Sequence, residues 1–145
     1  MTHLRRLAMV ILMETDIEKA VMFYEAIGAH KKCLFPKSWA ELMLDGLTIA
    51  LCHTDSDQGQ RRTGLVFAVD DLMKFYAKHK DTVQFLEEPV VKIHGIMVSM
   101  QDPGGNIIEL YQATPEKVRE FMETSKGSGC CKEEEGVGSD NCCRS

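Results

Sequence analysis

The chain has 145 residues, 44% of them hydrophobic and 27% charged, with a formal net charge of −5. That length gives one ordinary domain or two very small ones, and the apolar content suits a packed core rather than a disordered chain. The acidic balance argues against a nucleic-acid partner, and no apolar run approaches the ~20 residues of a membrane helix. The short apolar run after the charged start is broken by Glu14, Asp16 and Glu18, so it does not read as a signal peptide. A cytoplasmic protein with neither membrane nor nucleic-acid partner is the expectation.

In chain order, Leu7 to Met13 is short, apolar and partly β-branched, which suits a buried strand. Thr15-Asp16 supplies a helix cap, Ile17, Ala20, Val21, Tyr24 and Ile27 recur at helical spacing, and Gly28 stops the helix. Strands follow at Lys32 to Phe35, at Trp39 to Leu44 and at Leu47 to His53, the last two joined by an Asp45-Gly46 hairpin turn. The second half runs in the same order. Gly64 to Val69 is strand-like, and Asp70-Asp71 caps a helix through Leu72, Phe75, Tyr76 and His79. Val83 to Leu86 and Ile96 to Met100 are strands separated by Pro89 and a Lys-Ile-His-Gly turn. The turn Asp102-Pro103-Gly104-Gly105-Asn106 leads into a final strand, Ile107 to Gln112. Thr114-Pro115-Glu116 then opens a helix over about 115–125. The two halves form an internal repeat, with Asp16-Ile17 matching Asp71-Leu72.

Composition changes after Ser125. Residues 126–145 hold Val137 as their one apolar residue besides cysteine, too little to offset the entropy of ordering them, so a flexible tail is expected. Four of the six cysteines lie there as two adjacent pairs, Cys130-Cys131 and Cys142-Cys143. Adjacent cysteines bond to each other only with strain, but as thiolates the four suit a soft metal or metalloid ion.

The strand–Asp–helix pattern ending Phe23-Tyr24-x-x-Ile27-Gly28, and the closing Asp102-Pro103-Gly104-Gly105-Asn106-Ile107-Ile108-Glu109-Leu110, resemble the vicinal oxygen chelate superfamily. This is the group of glyoxalase I, extradiol dioxygenases, fosfomycin-resistance enzymes and bleomycin-binding proteins. The resemblance spans about residues 5–113. It implies an α+β fold of two βαβββ modules, about 5–57 and 60–113, curved into a half-barrel around a cavity, within a single domain over 1–125. It also implies pairing into homodimers. Its enzymes place metal ligands at four strand positions, which fall here on Met9, Ala50, Gly64 and Glu109. Only Glu109 can bind a hard divalent ion; Met is a soft ligand, and Ala and Gly bring no donor. A catalytic zinc site normally takes three protein ligands, so no cofactor is expected in the barrel.

Strand alternation in the register of the resemblance gives the cavity lining. Met9, Ile11 and Met13 face in from the first strand, Thr48, Ala50 and Cys52 from the fourth, Val66 and Ala68 from the fifth, and Ile107, Glu109 and Tyr111 from the last. His94 borders the cavity from its loop, and Trp39 and Phe35 stack at the rim. Such a pocket suits an apolar or cationic small molecule. Glu109 is the catalytic candidate: a lone carboxylate among apolar groups would have a raised pKa and act as a general base or pair with a ligand cation. Its structural reading is a hydrogen bond to Tyr111, His94 or a neighbouring strand. Three functions follow: a small-molecule binder of the bleomycin-resistance type, a metal-dependent lyase, isomerase or dioxygenase of the glyoxalase type, and a soft-metal or metalloid carrier using Cys130, Cys131, Cys142 and Cys143.

Overall fold

The computed structural model describes residues 2–57 and 59–126. Two mixed sheets carry the chain in an α+β fold. The first is built from β1 (Val10–Glu14), β2 (His30–Phe35), β3 (Trp39–Leu44) and β4 (Leu47–His53), in the order β1-β4-β3-β2. The second holds β5 (Arg61–Ala68), β6 (Gln84–Phe85), β7 (Val90–Lys92), β8 (Gly95–Gln101) and β9 (Asn106–Ala113), in the order β5-β9-β8-β6, with β7 also on β8. In each sheet the strand before the helix pairs in parallel with the last strand of its module. Helices α1 (Ile17–Ala26) and α2 (Leu72–His79) make these parallel crossovers possible, and α3 (Pro115–Lys126) follows β9.

The helices start where the caps predict. Asp16 and Asp71 both sit in extended backbone and accept from the N–H three residues on, Lys19 and Lys74, at 3.0 Å. The β3–β4 connection is a two-residue turn with both central residues at positive φ, Asp45 at 46° and Gly46 at 79°. That is the mirror-image turn whose twist matches a hairpin.

Several elements differ from expectation, β2 beginning at His30 rather than Lys32 among them. β1 begins at Val10 rather than Leu7, because the strand extends only as far as β4 pairs with it, from Val10 opposite Ile49 to Glu14 opposite His53. β5 begins at Arg61, whose backbone is held by β9 across an irregularity between Arg62 and Val66. β7 lies in what reads as a loop, because three residues on the edge of β8 are too few to show a period.

One face of each sheet makes the core. Val10, Leu12, Ala40, Leu42, Ile49 and Leu51 lie on one side of the first sheet under Ile17, Ala20, Val21 and Tyr24 of α1. Val98, Met100, Ile108 and Leu110 form the same layer in the second, joined by Leu72 of α2. Burying such side chains contributes ~1.5–3 kcal/mol each.

A buried polar clamp joins the modules where β1 ends against the β8–β9 turn. The Asp102 carboxylate accepts from Tyr24 Oη at 2.7 Å, from Asn106 Nδ2 at 2.9 Å, and from the backbone N–H groups of Gly104 at 3.0 Å and Asn106 at 2.9 Å. Asn106 Nδ2 also donates to the Met13 carbonyl at 2.9 Å and to Glu14 Oε1 at 3.1 Å. The Arg61 guanidinium donates to the carbonyls of Met13 and Gly104, each at 2.9 Å. A Cβ at Gly104 would collide with the Glu14 carboxylate, so the close approach requires glycine.

Glu14 is fully buried. Burial, reinforced by the hydrogen bond and charge of Asp102, pushes its pKa up to about 9, against the opposing pull of Asn106 and Arg61. Asp102 collects the donors, so the proton of the pair rests on Glu14. Burial and the Asp102 charge likewise hold the Tyr24 hydroxyl protonated well above its ordinary range.

Candidate functional site

The second face of each sheet is open. Cross-strand registers put Ile11, Ala50, Glu41 and Cys33 in one row of the first sheet and Met13, Cys52, Trp39 and Phe35 in the next, with Thr48, Met43 and His30 beyond. Met9, one step before β1, is 37% exposed, Ile11 52% and Met13 37%. In the second sheet Val66, Glu109 and Ser99 share a row, and Ala68, Tyr111, Met97 and Val90 the next. Alternation therefore assigns Met9, Ile11, Met13, Trp39, Thr48, Ala50 and Cys52 to one common face, and Val66, Glu109 and Tyr111 to another. The two sheets are not closed on each other. Helices α1 and α2 pack on the opposite face of each sheet.

Glu109 is not isolated. Its Oε1 lies 3.6 Å from Arg62 Nη1, and the two line a hollow of about 120 Å³ with Gly64 and Ile107. Tyr111 does not meet Glu109; its hydroxyl donates to the His94 carbonyl at 2.6 Å. The His94 ring stacks on the Tyr111 ring with centroids 5.7 Å apart. His94 thus borders the second face while its ring is committed to Tyr111.

Two charged residues escaped the sequence reading. Arg62 precedes Gly64, where the strand was expected to start. Glu41 is the polar member of the alternation Trp39, Glu41, Met43, and that alternation was the signal that would have found it. Glu41 Oε2 accepts from the Cys33 thiol at 3.6 Å and lies 3.7 Å from Lys32 Nζ.

The fold family implies a divalent metal, and the donors present do not fit one. Among the described residues no three His, Cys, Asp or Glu side chains come together as a ligand set. At the implied positions Met9 offers a thioether, Ala50 and Gly64 nothing, and Glu109 a carboxylate already facing Arg62. Cys130, Cys131, Cys142 and Cys143 lie outside the described residues. Among the described residues no helix is long and apolar enough to cross a membrane.

No known family profile matches the chain, and no curated protein sequence matches it. Solved structures do. The fosfomycin-resistance protein FosX from Listeria monocytogenes aligns over 79% of this chain and 98% of its own, with 21% identity and a TM-score of 0.66. A variant of FosX holding Mn(II) and 1S,2S-dihydroxypropylphosphonic acid aligns over 82% and 99%, with 17% identity and a TM-score of 0.68. Lactoylglutathione lyase from Agrobacterium tumefaciens aligns over 74% and 92%, with 16% identity and a TM-score of 0.61. Two βαβββ modules, each closed by a parallel pair between its first and last strands, and these likenesses together give the chain the fold of the vicinal oxygen chelate superfamily.

Proposed function

We propose that the protein binds a small organic molecule on its open sheet faces without a barrel metal, and that a second copy of the chain completes the site. The observation that carries this reading is the exposure of Ile11 at 52% and Val66 at 49%, each on the edge strand of a sheet whose opposite face packs the core. Exposed apolar patches of this kind mark interfaces or ligand grooves. Pairing the first face of one chain with the second face of another sets Met9, Ile11, Met13, Trp39 and Cys52 opposite Val66, Glu109 and Tyr111. The ligand is then held by an apolar wall and oriented by the Arg62–Glu109 pair. An aromatic body with one charged group meets both requirements.

The metal-dependent lyase reading draws on FosX and lactoylglutathione lyase, and it needs donors that Met9, Ala50 and Gly64 do not offer. Trp39 is the single tryptophan and lies on the first face, so it reports the site directly. Light scattering on the eluting protein is expected to give a dimer. Titration with 8-anilinonaphthalene-1-sulfonate is expected to quench Trp39 emission saturably, equally with and without EDTA. A monomer with unquenched Trp39, or quenching that EDTA abolishes, would overturn the reading.

A further inference from the structure

The internal repeat matches Asp16 with Asp71, so the counterpart of Glu14 is Val69. The polar clamp has no copy there. In its place lies a cavity of about 260 Å³ between the end of α1, the start of α2 and the ends of β3 and β5. Ile27, Leu44, Phe67, Phe75 and Met100 supply an apolar lining. The asymmetry has a cause in chain length: the β8–β9 turn sends Asp102 to Asn106 into the clamp, whereas the β3–β4 turn has only Asp45-Gly46 and leaves the equivalent space empty.

Two features at the mouth select a charge. Among the described residues lining the cavity, Asp70 alone is charged, and Tyr24, the other polar side chain, has committed its hydroxyl to Asp102. The C-terminal end of α1 also borders the cavity through Ile27 and Ala29, and its last turn carries no basic residue to offset the negative end of the helix. The outer cleft beyond holds Glu25, Asp71, Lys78, Lys74, which is turned to Asp71 at 3.5 Å, and His79, whose pKa burial and Lys78 lower.

We infer that this inter-module cavity is a second ligand site, taking a small aryl- or alkylammonium ion with its apolar body among Ile27, Phe67 and Phe75 and its ammonium on Asp70. The volume admits a body of about ten heavy atoms, below the range of drug-sized pockets. Its lining shares neither Trp39 nor Glu109 with the open faces.

The test is amide NMR of the full chain titrated with 2-phenylethylamine and, separately, with its anionic counterpart 3-phenylpropionate. The amine is expected to shift Ile27, Gly28, Val69 and Asp70 saturably, and 3-phenylpropionate to bind at least about tenfold more weakly. Asp70→Asn, at an exposed position, is expected to keep the fold and weaken the amine about tenfold. Shifts that do not saturate, that centre on Trp39 or Glu109, or that are unchanged in Asp70→Asn would overturn the inference.

Discussion

The two sides of the module junction occupy corresponding places in the repeat and are filled by opposite means. On one side Glu14, Asp102, Asn106, Arg61 and Tyr24 form a buried hydrogen-bonded cluster; on the other, Val69 and Phe75 border an unfilled apolar space. The repeat dictates frame and caps, while the contents of each junction follow from one turn being longer than the other. The polar side fixes how the modules sit, since its donors and acceptors have directions, and removing one partner leaves the others buried and unpaired. The apolar side makes no such demand and is free to hold something else.

The contrast can be broken most severely at Asp102. Asp102→Ala strands the Tyr24 hydroxyl and two backbone N–H groups, and is expected to cost about 3–5 kcal/mol, a fall in Tm on the order of 10–20 °C by calorimetry.

Glu14→Gln sharpens it through pH. Folded Glu14 keeps a proton that the unfolded chain releases above its ordinary value of 4.5, so its contribution is most favourable below that pH and declines as pH rises to about 9. Urea unfolding of the parent is expected to show a loss of up to about 1.4 kcal/mol per pH unit across that window relative to Glu14→Gln, which lacks it.

The smallest effect lies across the junction. Val69→Ile adds one methyl group to open space and is expected to stabilise by about 0.5–1 kcal/mol in the same urea assay, where an added methyl at Gly104 would collide.

Much of this molecule is legible in its sequence, and the rest is hidden for identifiable reasons. Asp16, Asp71 and Asp45-Gly46 act through neighbours a few residues away, so caps and turn could be read directly. The faces of β1, β4 and β9 follow from a period of two and are recovered residue by residue. Glu14 shows the limit: beside Asp16 and Glu18 it reads as the charged end of an apolar run, yet it is fully buried because its partners come from the other module. Arg62 was missed because the irregularity between Arg62 and Val66 hides where β5 starts. Alternation says which residues share a face and not what covers it.

The clamp also sets an order of events during synthesis. Asn106 lies 92 residues after Glu14. At ribosomal speeds that separation takes roughly 5–20 s to elongate. Throughout that interval the nascent first module keeps Glu14 hydrated and ionised. Emergence of the second module therefore draws a proton from the medium as the carboxyl is sealed, making completion of this chain a proton-consuming step.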